Sequence, residues 1–200
     1  MENGQEIIDI KVILLGEMGV GKSNLLNAAA DLRFDEISKS TVNSTYIEKR
    51  MKILNKDYIV KLWDTAGQEK FRAMTKLFYQ DSKVVIFVYD ITNKKSFTEL
   101  NYWINEIKEA LKDEPILGII GNKYDLKDMM EVEEETAKKF AQEKGIELKL
   151  LSTKNEPKNF KKFLRKLVKD YLKKIGQLKE NEDEIATKVD DGNHGSCIIF

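Results

Sequence analysis

A chain of 200 residues with 42% hydrophobic content can bury one sizeable core and leaves little room for a second. Its 34 basic and 34 acidic residues cancel, so no overall field draws it to nucleic acid, and any contact with an anionic membrane has to be local. A single cysteine, Cys197, excludes an internal disulfide, no apolar run is long enough to span a bilayer, and the polar opening MENGQE carries neither a secretory signal nor a myristoylation start. These features point to a cytosolic protein.

The apolar run at 7–15 predicts a buried strand and 24–30 a helix, with GEMGVGKS at 16–23 between them. That string fits the phosphate-loop pattern G-x-x-x-x-G-K-[ST] in the setting the motif requires. Gly16, Gly19 and Gly21 let the backbone wrap closely round a polyphosphate, so that successive N–H groups and the positive end of the new helix face the anion. Val20 and Asn24 belong to the same stretch. Lys22 reaches the β- and γ-phosphates as a point charge, and Ser23 offers a hydroxyl to Mg²⁺.

A hairpin is predicted next, with strands at 46–54 and 58–64 and a turn at Asn55, Lys56 and Asp57. WDTAGQE at 63–69 closes its second strand and brings Asp64 to the sheet edge where the phosphate loop also emerges, an acidic residue suited to Mg²⁺ through water. The runs 83–90 and 116–121 read as strands buried in a parallel sheet, and 146–151 as the last strand. Asn93 or Ser96 caps a helix to about 111, and 131–144 forms another that stops at Gly145.

GNKYDL at 121–126 chooses the base. The carboxylate of Asp125 accepts from both guanine N1–H and the 2-amino group, whereas adenine offers neither donor; each lost charged hydrogen bond costs roughly 1.5–3 kcal/mol. GTP is therefore favoured over ATP. Asn122 and Lys123 brace the neighbouring loops and the base plane, and LSTK at 151–154, with Ser152, Thr153 and Lys154, closes the pocket.

The last helix opens on Pro157 and repeats Phe160, Phe163, Leu164, Leu167, Val168, Tyr171, Leu172 and Ile175 at helical steps. Its other face carries Lys158, Lys161, Lys162, Arg165, Lys166, Lys169, Lys173 and Lys174, a solvated face or a membrane contact. The βα alternation predicts a doubly wound α/β fold with its site at the carboxyl ends of the strands.

These motifs, in this order and spacing, resemble the Ras-like small GTPases and most closely their Rab branch: GEMGVGKS, STV at 40–42, WDTAGQEKFR, GNKYDL and STK. The resemblance covers roughly 8–175. It implies one P-loop GTPase domain over 1–176, a mostly parallel six-stranded sheet with about five helices on both faces, and a flexible acidic tail at 177–200. It implies GTP/GDP and Mg²⁺ as cofactors. Thr41 joins Ser23 and Asp64 at the metal, Phe34 stacks on guanine, Gly67 donates its N–H to the γ-phosphate, and Gln68 orients the attacking water. Catalysis would rest on Gln68, Lys22 and Thr41. Tyr46, Trp63 and Phe78 match the aromatic trio that Rab proteins show to effectors, with three core aromatics as the other reading. A monomer is implied, with effectors, an exchange factor, an activating protein and a lipid-shielding carrier as partners, in membrane traffic on the cytosolic face of an internal or plasma membrane. A Ras- or Rap-like signalling switch and a GTP-locked binding module are the alternatives, and an ATP-dependent kinase has no use for NKYD.

Several residues depart from the pattern. Met18 stands where a small residue is usual, either an obstacle to hydrolysis or a bystander. Asn43, Gln80 with Asp81, and Thr153 also differ; because a backbone N–H holds the base at Thr153, little change is expected there. The chain ends in CIIF, a prenylation box on Cys197 whose final Phe favours geranylgeranyl. With no second cysteine or upstream basic run, attachment should be reversible.

Overall fold

The computed structural model describes residues 8–35, 45–65, 78–179 and 197–199. VVIFVYD, the most continuous apolar run in the chain, forms a central strand whose seven residues are all buried, as a strand covered on both faces must be. The strands are β1 (Ile8–Leu15), β2 (Thr45–Ile53), β3 (Lys56–Asp64), β4 (Val84–Asp90), β5 (Ile116–Asn122), β6 (Glu147–Leu150) and β7 (Cys197–Ile199). They form one sheet in the order β6-β5-β4-β1-β3-β2-β7. β1, β3, β4, β5 and β6 run parallel, while β2 is antiparallel to β3 and β7 antiparallel to β2.

The six expected strands are present, and β7 adds a seventh from within the stretch that the sequence assigns to a flexible tail. The hairpin turn also differs from expectation. Ile53 pairs directly with Lys56, so the turn is Leu54-Asn55, and Lys56 and Asp57 belong to the strand. Leu54 takes a left-handed φ of 52°. That costs a non-glycine residue about 1–2 kcal/mol, against which its side chain packs on the core.

Five α-helices are present among the described residues: α1 (Lys22–Ala29), α2 (Lys94–Thr98), α3 (Leu100–Ala110), α4 (Glu134–Lys144) and α5 (Pro157–Lys174). The single helix expected from Asn93 is divided at Glu99, but hydrogen bonds run through the division, from Glu99 N–H to the Lys95 carbonyl and from Trp103 N–H to the Glu99 carbonyl. Asn93 is the cap, its Oδ1 accepting from Ser96 N–H at 3.1 Å. α4 begins three residues later than predicted because the N–H groups of Glu131 and Val132 both go to the Ile91 carbonyl, which docks that segment on the end of β4. It ends on Gly145 at φ 66°.

Two apolar layers sandwich the sheet. α1 and α5 cover one face with Leu25, Leu26, Phe160, Phe163, Leu164, Leu167, Val168 and Leu172. α3 and α4 cover the other with Leu100, Trp103, Ile104, Ile107, Ala137 and Ala141. Each large side chain so buried contributes at most about 1.5–3 kcal/mol. Ile175, expected on the apolar face of α5, lies past the helix end and is 42% exposed. Among the described residues no helix is long and apolar enough to cross a membrane. Because five strands are parallel, their carboxyl ends open at one edge, and the loops that follow them gather there.

Candidate functional site

The first of these loops follows β1. Gly21, at φ 99°, turns it into α1, and a Cβ there would lie 2.3 Å from the Asn122 side-chain nitrogen, so only glycine lets the phosphate loop meet the loop after β5. Lys22 is buried, and its Nζ donates to the carbonyls of Gly16 and Glu17, each at 2.9 Å. Burial pushes its pKa down to about 8, and the charges of Asp64 and Glu17 keep it from falling further. A cation held with little water beside a wrapped loop is an anion site.

Register sets the next contact. β1 and β3 pair Leu14 with Asp64, and Thr65 Oγ1 donates to the Leu14 carbonyl at 2.7 Å, which fixes the end of β3 beside the phosphate loop. Ser23 Oγ then donates to Asp64 Oδ2 at 2.5 Å. A hydroxyl and a carboxylate brought together in this way are the hard oxygen donors that suit Mg²⁺, an ion that takes few protein ligands and fills its sphere with phosphate oxygens and water. No cluster of three or more His, Cys, Asp or Glu that could hold a metal occurs among the described residues.

At the other end of the site Asn122 joins three loops. Its Nδ2 donates to the Val20 carbonyl at 2.9 Å, and its Oδ1 accepts from Thr153 Oγ1 at 2.7 Å and from Thr153 N–H at 3.2 Å. The threonine hydroxyl thus adds a bond that the sequence does not advertise, and the N–H expected at the base is given to Asn122. Ser152 Oγ accepts from Asn155 N–H at 3.0 Å, holding the same turn. Lys123 has a left-handed φ of 63° and pairs with Asp90 at 2.6 Å. Asp90 also accepts from Thr92 N–H and its hydroxyl, at 2.9 and 2.7 Å. Asp125 is exposed, so the base itself must cover it if its carboxylate is to discriminate by desolvation.

Phe34 is 38% exposed, and Lys154 Nζ stands 6.0 Å from its ring centroid, so the two meet at the rim of the base end. The strand of chain carrying Phe34 is held by Asn24 in both directions: Asn24 Oδ1 accepts from Asp35 N–H at 2.9 Å, and its Nδ2 donates to the Asp35 carbonyl at 3.0 Å. Asp90 escaped the sequence reading, and for Asn24 and Thr153, which that reading names, the side-chain bonds did. Only Asp90 carries a signal there, as a polar residue ending an apolar parallel strand.

Tyr46 stacks on Trp63 with centroids 4.4 Å apart, and Trp63 meets Phe78 at 5.7 Å. All three are half-buried, and Trp63 packs on the core layer beneath, so the trio is a partly exposed cluster seated at the edge of the core. Gly19 sits at φ 80° in the phosphate loop, and Met18 beside it is 54% exposed. On α5, Lys161 pairs with Asp31, Lys166 with Glu147 and Asp170, and Lys174 with the Glu114 carbonyl, so much of its basic face is engaged within the chain. Thr41, Asn43, Gly67 and Gln68 lie outside the described residues, and only the backbone of Cys197 falls within them.

The Ras family sequence model matches residues 11–173. The chain is 33% identical to Ras-related protein YPTC6 of Chlamydomonas reinhardtii, over 88% of this chain and 82% of that one. It is 37% identical to Ras-related protein Rab-11C of Dictyostelium discoideum, over 77% and 70%, and 39% identical to Ras-related protein Rab-21 of Geodia cydonium, over 70% and 62%. With the loop, metal-donor and base-end geometry in place, the chain belongs to the Ras family of small GTPases, enzymes that hydrolyse GTP, and within it stands close to the Rab proteins.

Proposed function

We propose that this chain is a Rab-like switch that binds GTP and GDP with Mg²⁺, hydrolyses GTP slowly and recruits effectors in membrane traffic. The observation that carries the reading is Asn122, which ties the phosphate loop at Val20 to the base loop at Thr153 and so makes one site of two ends. Lys22 neutralises the β- and γ-phosphates and meets the charge that develops as the terminal phosphoryl departs. Val20, Gly21 and Asn24 belong to the loop that holds the phosphates, while Asn122, Lys123, Asp125, Ser152, Thr153 and Lys154 hold guanine, with Phe34 at its rim.

Mg²⁺ would be held by Ser23, with Asp64 through water and Thr41 from the first switch, and when bound it neutralises phosphate charge. Gln68 orients the attacking water. Turnover without an activating partner is on the order of 10⁻⁴ to 10⁻² s⁻¹. Loss of the γ-phosphate releases Thr41 and Gly67 and changes the surface next to Tyr46, Trp63 and Phe78, through which effectors distinguish the two states. Prenylation of Cys197 supplies reversible attachment to a cytosolic membrane face, with a carrier shielding the lipid.

The test is a single-turnover time course on protein loaded with GTP and Mg²⁺, with ATP as control and Gln68→Leu alongside. GDP should form slowly in the parent and much less in the variant. GTP persisting equally in both favours a locked binding module, and equal use of ATP removes the role given to Asp125. The lone Cys197 also suits a Ras- or Rap-like signalling switch, which capture of effectors by the GTP-loaded form would separate from the Rab reading.

A further inference from the structure

Without β7, β2 would be the edge of the sheet. Its alternation can be followed from the turn. In a two-residue hairpin the residues flanking the turn exchange both ladder bonds, so Ile53 bonds to Lys56, and with an unbroken register every odd-numbered residue of β2 directs its N–H and C=O to β3. The even-numbered residues Tyr46, Glu48, Arg50 and Lys52 therefore present theirs to the outer side. An exposed row of this kind is a template for another strand. It runs through charged residues, a composition that discourages casual pairing with other chains.

The outer side is taken by the chain's own C-terminal segment. Cys197, Ile198 and Ile199 lie opposite Lys49, Glu48 and Ile47, antiparallel. The parity makes Glu48 with Ile198 the pair that exchanges both bonds. We propose that the outer edge of β2 is a docking site for an extended apolar C-terminal peptide, and that the chain's own Cys-Ile-Ile is its resident. Because β2 also carries Tyr46 of the aromatic surface, the docked tail sits on the strand that would face effectors. Docking and membrane attachment exclude one another: a strand held in the ladder cannot extend into a prenylating enzyme or a bilayer. This consequence rests on the prenylation reading above; the docking itself does not.

Three paired residues are a small contact, but the tether keeps the peptide close, so that pairing is intramolecular and easily reversed. The test is residue-resolved amide exchange on the full-length, unlipidated chain. Corrected for local sequence, Glu48 should exchange about tenfold more slowly than Lys52, which faces the same side beyond the end of the β7 ladder; that is the size expected for one ordinary net hydrogen bond. Ile198→Pro removes the N–H that donates to the Glu48 carbonyl and forces a ring into the ladder; with only three residues paired the strand should then release, the Glu48 N–H lose its acceptor at Ile198 and the difference vanish, whereas Ile198→Val should keep it. Equal rates in the parent, or a difference that survives Ile198→Pro, overturns the proposal. Protection that grows with protein concentration assigns the strand to a second copy and also overturns it. Glu48 protected in a protein that never acquires a lipid in cells would defeat the prenylation reading and leave the docking intact.

Discussion

The two ends of the nucleotide site are built differently. At the base end, the bonds that hold the loops run from side chains to neighbouring loops: Asn122 to Val20 and Thr153, Lys123 to Asp90, Asn24 to Asp35. A base can enter with these intact, and only the Thr153 N–H, held by Asn122 at 3.2 Å, has to change partner to reach it. At the phosphate end the groups a nucleotide needs are engaged with each other: Lys22 with the Gly16 and Glu17 carbonyls, Ser23 with Asp64. There a ligand has to exchange partners. The base end is thus preorganised, whereas the phosphate end trades internal bonds for stronger charge-assisted ones when an anion binds.

Substitutions test that contrast. Lys22→Ala should lower GTP affinity by at least about a hundredfold, since its charge-assisted bonds to two phosphates, at roughly 1.5–3 kcal/mol each, are lost, while the melting temperature shifts little because removing a desolvated cation offsets the loss of its bonds to the Gly16 and Glu17 carbonyls. Titration with a fluorescent nucleotide reads the first and calorimetry the second. A large melting shift with modest affinity loss would make Lys22 a structural residue and erase the distinction between the ends. Asn122→Ala should show the reverse balance, costing about 2–4 kcal/mol of stability because three bonds go and Thr153 is left buried, or roughly 5–15 °C in melting temperature. If it melts like the parent, the base end is not preorganised by Asn122.

A smaller effect is expected from Asn24→Ala. Freed from its clasp, the segment carrying Phe34 should let nucleotide leave about fivefold faster, the equivalent of about 1 kcal/mol, in a displacement time course. An unchanged off-rate would mean that Phe34 is positioned by something else. Met18→Ser should leave the single-turnover rate unchanged, because the Met18 side chain is 54% exposed; a faster rate would show that it obstructs the water or the activator.

The smallest effect lies away from both ends, at Asp31. Burial raises its carboxyl pKa, but hydrogen bonds from Lys161 and Lys49 outweigh that and hold it below the usual range. A carboxylate with a lowered folded pKa contributes stability above its unfolded value, near 4, and loses it as pH falls through the folded one. Asp31→Asn, which tolerates the φ of 61° at this position, should therefore flatten the acid limb of melting temperature against pH by a few tenths of a kcal/mol, since the cluster is largely solvent-screened. Identical acid limbs would show that the lysines do not stabilise the charged form.

Much of this was legible in the chain. The apolar runs at 83–90 and 116–121 declared themselves as buried parallel strands, observed within one residue of those bounds as β4 and β5, and α5 by its spacing, because burial on two faces or one leaves a periodic mark. The hairpin turn was misplaced because Leu54 has no turn chemistry; it occupies a left-handed position on the strength of core packing. The start of α4 was misplaced because a tertiary bond to Ile91 takes the N–H groups of Glu131 and Val132. The basic face of α5 reads in the sequence as a solvated face or a membrane contact, but Lys161 pairs with Asp31, 130 residues away, and Lys166 pairs with Glu147 of β6 as well as with Asp170 one turn along the helix.

What the sequence determined by itself is the order of strands and helices and the chemical kinds gathered in the loops: glycines and a lysine for phosphate, a hydroxyl and a carboxylate for metal, an Asn-Lys-x-Asp run for a base. These depend on composition and short-range spacing, which one chain displays in full. Only the tertiary structure decided which of those groups touch: Asn122 with Thr153, Lys123 with Asp90, Ser23 with Asp64, and the C-terminal strand with β2. Such contacts follow from register and crossover between segments up to 148 residues apart, as Lys49 and Cys197 are. Contact over that range is selected by how the whole core packs and leaves no local periodicity to read.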